Sequence, residues 1–258
     1  SGVSVADLFI AGVLPGLLMA GSFIFLCWWI SRRRGYKNTG SAIGKRELLR
    51  LALRSFPALL MPVWILVFLR FGVATPTEVA VLAVVYSILL SVILYRDLNW
   101  ARFKEAMVEA GIATGIVMLV IMGSAACGWL LTFDEVPARF VAWVTATIQS
   151  PWLILMAMNV VLLVVGMPLD LPPALLLFGP IFVPLGLSLG LDPVQLGLIM
   201  IINLGIGVYT PPVGTTLFIA ASIAKSSLDD TTRELWPFFF AALLLLFAIT
   251  YIPALTLY

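Results

Sequence analysis

The sequence predicts an all-α integral membrane protein, and three observations carry that expectation. Of 258 residues, 62% are hydrophobic and only 11% are charged, whereas a soluble domain is nearer half apolar. The apolar runs are about 20 residues long and almost free of charge, as helices crossing a bilayer require, and unlike the ~10-residue alternating strands of a membrane barrel. Two of the later runs are interrupted by paired prolines, Pro172–Pro173 and Pro211–Pro212, with glycine nearby. Mean hydropathy is +1.12. The formal net charge of +2 leaves no electrostatic footprint for nucleic acid. The chain has no histidine, which removes Ser-His and Cys-His catalysis, histidine-ligated metals and histidine proton relays. No Lys or Arg lies mid-span to activate a serine, so neither an enzyme nor an organic cofactor is expected. Cys27 and Cys127 sit in apolar runs and read as small buried hydrophobes without a disulfide.

Candidate spans follow in order at 7–30, 55–70, 76–95, 111–133, 151–190, 193–224 and 235–256. The first ends on Trp28 and Trp29, which fit an interfacial aromatic belt. After it, Arg32, Arg33, Arg34, Lys37, Lys45, Arg46, Arg50 and Arg54 stand against Glu47 alone. The positive-inside rule therefore puts loop 31–54 in the cytoplasm. Arg32 to Arg34 read first as topology determinants and second as contacts for anionic membrane lipid. "TPTE" opens the span at 76–95 as a capping box, with Thr75 as N-cap, Pro76 at N1 and Glu78 at N3, which gives Glu78 a structural role. Segment 96–110, with Arg96, Arg102 and Lys104, is again cytoplasmic, either as an amphipathic interfacial helix or as a short polar connector. Span 111–133 exits on the far side. The mixed stretch "DEVPARFVAWVTATIQS" after it suits a further interfacial helix. Met118, Met122 and Phe238 to Phe240 read as packing or lipid contacts.

The stretch 151–190 is too long for one span and too interrupted for two. Its two arms of about 16 residues flank "GMPLDLPP", and each is marginal for a full crossing at 1.5 Å per residue. A re-entrant hairpin fits better, with its tip near mid-membrane. Pro172 and Pro173 lack N–H groups and so free the carbonyls of Pro168 and Leu169. Asp170 is the natural cap of the second arm, but those prolines cannot donate to it. It is also the only carboxylate, lysine or arginine between Arg139 and Asp192, and a charge at that depth points to function.

The stretch 193–224 reads as one helix broken at "GVYTPPVGTT". Pro211 and Pro212 free the carbonyls of Gly207 and Val208, while Gly205, Gly207 and Gly214 let the backbone leave helical geometry. Asn203, Thr210, Thr215 and Thr216 add polar groups at the same depth. In hydrocarbon such backbone survives only when buried in protein or lining a watery cavity. Two interrupted segments, adjacent in sequence and both broken near mid-membrane, are the signature of a secondary-transporter site. Carbonyls and hydroxyls suit sodium, and the positive N-terminal ends of half-helices suit an anionic substrate. The expected cation ligands are Gly166 and Met167 at the tip, with Gly207, Val208, Thr210, Pro211 and Gly214 at the break. Asp170, Asn203, Pro212 and Thr215 are the substrate-site candidates. Chemistry alone leaves sodium and protons both open, the latter through Asp170.

"NLGIG" followed by "TPPVGTTLF", the preceding "LDPVQLGLIMIINL", and "GMPLDLPPALLLFGPIFVP" resemble the large membrane subunit of TRAP (tripartite ATP-independent periplasmic) transporters. "LFIAGVLPGLLMA", "FGVATPTEVAVLAVVYSILL" and "GWLLTFDEVP" resemble it too, in order and over essentially the whole chain. The resemblance implies an elevator-type fold with inverted repeats, of which this chain would hold one. Residues 1–110 would be mainly scaffold and arm helices, and 111–258 mainly the transport-domain half. It implies sodium-driven import of organic anions across a bacterial inner membrane, with C4-dicarboxylates and sialic acid both compatible. The implied partners are a small membrane subunit, a periplasmic substrate-binding protein and an N-terminal half of the same subunit, absent before "SGVSVADLF". The C-terminus would be periplasmic. A proton-coupled carrier and a non-transporting scaffold subunit remain as alternatives.

Overall fold

The computed structural model describes residues 3–36, 44–211 and 214–257. Every regular element among them is helical, and six of the helices are long and apolar enough to cross a membrane. The described chain groups into two compact units. Among the described residues, one holds residue 3, 11–28 and 115–257, and the other holds 4–10 and 29–114.

The first expected span is two helices, α1 (Val5–Ala11) and α2 (Val13–Arg33), interrupted at Gly12. Pro15 explains the interruption, since it has no N–H to return to Ala11 four residues back. The Arg33 guanidinium lies 5.4 Å from the Trp29 ring centroid.

Helix α3 (Lys45–Arg70) corrects the expected span at 55–70. Residues 45–54 are its first turns and not part of a loop. Lys, Arg, Leu and Ala are good helix formers, so the charges end the apolar run without ending the helix. Helix α4 (Pro76–Leu89) continues as a five-residue π-turn, Leu90–Leu94, close to the expected 76–95. Its capping box is present: Glu78 N–H donates to Thr75 Oγ1, and the Glu78 carboxylate accepts from Thr75 N–H at 2.7 Å. Helices α3 and α4 are tied by Tyr86, whose hydroxyl donates to the Pro57 carbonyl at 2.8 Å.

Helix α5 (Trp100–Phe133) corrects the reading of 96–110. Residues 100–110 belong to one continuous helix of 34 residues, neither a separate helix nor a connector. At 1.5 Å per residue it reaches about 50 Å, well beyond a ~30 Å hydrocarbon core. Helix α6 (Val136–Thr147) bears out a helix in the mixed stretch. It packs on the second arm of the interrupted segment, with Phe140 edge-on to Phe182.

That segment is indeed two helices, α7 (Pro151–Gly166) and α8 (Leu171–Ser188), joined by four residues. Gly190, at φ 80°, lets the chain turn out of α8. Asp192 then caps α9 (Pro193–Gly207) by accepting from Val194 N–H at 2.8 Å. The expected break follows, and α10 (Thr215–Ala224) resumes beyond it. Helix α11 (Leu228–Tyr251) begins earlier than the expected 235. Ser227 caps it through Asp230 N–H, and Asp229 and Asp230 favour its positive end. It stops before Ile252–Pro253, since a residue preceding proline avoids helical geometry.

The apolar core belongs to this C-terminal run. Leu162, Ala174, Ile199, Leu204, Ala242 and Ile249 are fully buried in one cluster drawn from α7, α8, α9 and α11, with Val144 of α6. Cys27 and Cys127 depart from the expected burial, for both are exposed. Among the described residues, apolar helices present faces with no protein against them, so an apolar surrounding in sequence does not mean burial in protein.

Candidate site at the two helix interruptions

The hairpin tip is built by what α7 loses and α8 cannot gain. Helix α7 ends at Gly166, and beyond it only weak bonds persist: Met167 N–H to Val164 O at 3.4 Å and Leu169 N–H to Val165 O at 3.3 Å. Asp170 holds the N-cap position of α8 with extended backbone and no side-chain capping bond. The reason is local. Pro172 and Pro173 occupy the second and third helical positions, where a cap side chain would find its N–H donors. The first intrahelical bond is Ala174 N–H to Asp170 O at 3.2 Å.

The break after α9 is more ordered than the prolines alone suggest. Gly207 O accepts from Thr210 N–H at 2.9 Å, and Val208 O accepts from Thr216 N–H at 3.2 Å across the break. The two carbonyls expected to be freed thus each have one donor, because the unwound chain folds back far enough to supply it. Each retains a second lone pair. Thr210 is buried, and its hydroxyl donates to Ile206 O at 2.6 Å, leaving its own oxygen lone pairs. Gly214 is pressed against the turn, where a Cβ would come within 2.9 Å of Thr210 O and Tyr209 C. Pro211 lies in the turn. Pro212, and the side chain of Thr215, lie outside the described residues.

The tip and the break meet at two glycines. A Cβ on Gly207 would stand 2.6 Å from both Cα and C of Gly166, and one on Gly166 would stand 3.2 Å from Gly207 Cα. Backbone touches backbone, which no other residue type permits. Helices α7 and α9 advance in the same direction from there, with Asn159 beside Asn203 and Gly166 beside Gly207. Gly166 and Gly207 are therefore brought together, with Met167 and Val208 next to them in sequence and Thr210 and Gly214 on the break side.

Asn203, fully buried, points away from the break. Its Nδ2 donates to Asn159 O at 2.9 Å and to Asn159 Oδ1 at 2.8 Å. Asn159 in turn donates to Thr250 Oγ1 at 3.0 Å, and Gln195 Nε2 donates to Ile249 O at 3.0 Å. The partners Asn159, Gln195 and Thr250 were missed in the sequence. Asn159 could have been found, since it is the one amide in the otherwise apolar "PWLILMAMNVVLLVVG" and an unpaired amide is costly in hydrocarbon.

Among the described residues no three of His, Cys, Asp and Glu gather to hold a metal. Cation ligands at these breaks would be neutral oxygens, as their carbonyls and hydroxyls provide.

Comparison with known proteins supplies the family. The family profile described as "Tripartite ATP-independent periplasmic transporter, DctM component" matches residues 1–255. An uncharacterized protein of Sinorhizobium fredii is 66% identical over 258 residues, all of this chain and 62% of the relative. The C4-dicarboxylate TRAP transporter large permease protein of Pseudomonas aeruginosa is 36% identical, over 98% of this chain and 59% of its own length. The sialic acid TRAP transporter large permease protein of Vibrio cholerae is 30% identical, over 100% of this chain and 60% of its own length. The chain thus spans about three fifths of the length of the relatives it matches. The family is one of transport permeases and not of enzymes, and this chain belongs to it: the DctM component of tripartite ATP-independent periplasmic transporters.

Proposed function

We propose that these residues form one half of the transport machinery in a sodium-coupled importer of organic anions, working by an elevator movement. The observation that carries this is the backbone contact of Gly166 and Gly207, 41 residues apart in sequence, which unites the two helix interruptions. Mid-span interruptions at one point suit ion and substrate binding. Sodium is held by the spare lone pairs of Gly166, Met167, Gly207 and Val208 and by the Thr210 hydroxyl, with Pro211 and Gly214 keeping the chain unwound. Neutral oxygens suit a weakly bound monovalent ion that is released in each cycle. The N-terminal end of α10, at Thr215, and Asp170 face the substrate side. Small carboxylates are the substrate class, as the names of the relatives from P. aeruginosa and V. cholerae suggest. Helix α7, at about 24 Å, is short for the bilayer, and with α8, which is just long enough to cross, it forms a re-entrant hairpin.

Because the relatives are longer, transport is proposed for the full-length subunit with a small membrane subunit and a periplasmic substrate-binding protein, in a bacterial inner membrane. The test is uptake of a C4-dicarboxylate or sialic acid into proteoliposomes carrying these components. A sodium gradient should drive accumulation, and Thr210→Val should raise the sodium needed for half-maximal uptake about tenfold, the worth of one lost ligand at roughly 1–1.5 kcal/mol. Uptake that ignores sodium but collapses with the proton gradient would overturn the coupling and favour Asp170 as a proton carrier.

A further inference from the structure

The buried amides lie outside the site just described, and the geometry around them calls for its own explanation. Asn159 and Asn203 are 3% and 0% exposed, on facing stripes of α7 and α9. Leu155, Met158 and Leu162 share the α7 stripe, and Leu196, Ile199 and Met200 the α9 stripe. The orientation of the Asn203 amide is decided by its surroundings. Both acceptors of Asn159 face it, so Nδ2 must point there, since the reverse would set oxygen against oxygen. That leaves Asn203 Oδ1 buried without a hydrogen-bond partner among the described residues. A leucine pair would fill the same space with no such cost, so stability is a poor reason for the amides.

Specificity is the better reason. Leucine, isoleucine and methionine faces slide past one another at little cost, particularly where lipid competes equally for apolar contact. A paired amide cannot slide, because a slip leaves its donors unmet in a low-dielectric interior. Its leverage on the site is direct. Gly207 lies four residues beyond Asn203, one helical turn, and Gly166 lies seven beyond Asn159, two turns. A slip of one residue shifts a helix by about 1.5 Å and turns it by about 100°. That would carry a side-chain-bearing neighbour into a contact where a Cβ already comes within 2.6 Å of backbone.

We propose that the Asn159–Asn203 pair is a positioning device that sets the register of α7 against α9 and so holds the hairpin tip against the broken helix. Its significance for transport rests on the reading of the two breaks as the ion site. The structural claim stands apart from that reading.

The experiment uses the full-length subunit in lipid nanodiscs for exchange and in proteoliposomes with its partners for uptake. The variants are Asn203→Leu, Asn159→Leu and the double leucine variant. Gln195→Leu is the control, as it removes an equally buried amide that ties α9 to α11 instead. Hydrogen exchange of peptides covering 164–174 and 206–217 should quicken about tenfold in both single variants, the loss expected from a broken buried pair. The same peptides should be unchanged in Gln195→Leu. The double variant leaves no buried donor unmet, since Thr250 keeps its bond to Leu246 O. It should therefore fold, with tip exchange still elevated because apolar packing does not fix register. Sodium for half-maximal uptake should rise about tenfold in Asn203→Leu, with maximal rate falling less. Unchanged exchange at 164–174 in the double variant, or equal quickening in Gln195→Leu, overturns the proposal. Quickened exchange with unmoved sodium dependence upholds the positioning role and refutes the ion site.

Discussion

Gly205 and Gly207 show how little a residue's type says without its neighbours. Both lie at the end of α9, and both read in the sequence as loosening the same helix. A Cβ on Gly205 meets nothing within 4 Å, whereas one on Gly207 lands 2.6 Å from the Gly166 backbone. Gly205→Ala should therefore be neutral or stabilise by about 0.5 kcal/mol, the helix-propensity gain. Gly207→Ala should cost about 1–3 kcal/mol, the usual penalty of overpacking, and should abolish uptake because backbone has nowhere to retreat. Thermal unfolding and uptake of the two variants of the full-length subunit check this. Equal behaviour would mean that the glycine contact is not needed. Asp170 makes the same point, for its lack of a capping bond is decided by the two prolines that follow it and not by its own chemistry.

At the scale of elements, a single proline does not always stop a helix in this chain. Pro57 and Pro62 lie within α3, Pro180 and Pro184 within α8, and Pro237 within α11. Each removes one bond, which neighbouring residues absorb. The doublets differ because they remove two successive donors, and both fall at helix ends: Pro172–Pro173 in the first turn of α8, and Pro211 in the turn between α9 and α10. Replacing Pro211 and Pro212 by alanine restores two donors and should let helical bonds re-form towards Gly207 and Val208. Transport by the full-length protein should then fall further than in Thr210→Val, by more than about tenfold. A double variant with wild-type rate and sodium dependence would reduce the break to a simple kink. The extents of α3, α5 and α11 carry a related lesson. Apolar length reports how much of a helix suits hydrocarbon, while capping and propensity decide where the helix itself begins.

For the whole molecule, orientation rests on charge. Eight basic residues against one acidic between Arg32 and Arg54 predict that this region faces the cytoplasm. Single cysteines at Asn38 and Ser41 should resist an impermeant thiol reagent in intact cells and react after permeabilisation. The background for this must lack both native thiols, since Cys27 and Cys127 are exposed. Labelling of either position from outside would invert the orientation of every span.

The sequence by itself determined the fold class, the order of the spans, both interruptions and the capping box at Thr75, because each follows from local physics: the cost of charge in hydrocarbon, the missing N–H of proline, and side chains reaching three residues along. It also singled out most of the residues at the interruptions, from Gly166 and Met167 to Thr210 and Gly214. What it could not contain was the pairing between distant stretches. Gly166 meets Gly207, Asn203 turns to Asn159, and Thr216 reaches back to Val208 only because three-dimensional packing brings those groups within contact. Burial was decided in the same way: Asn203 and Cys27 both lie in apolar runs, yet one is wholly enclosed and the other exposed, since enclosure depends on which helix faces find a protein partner.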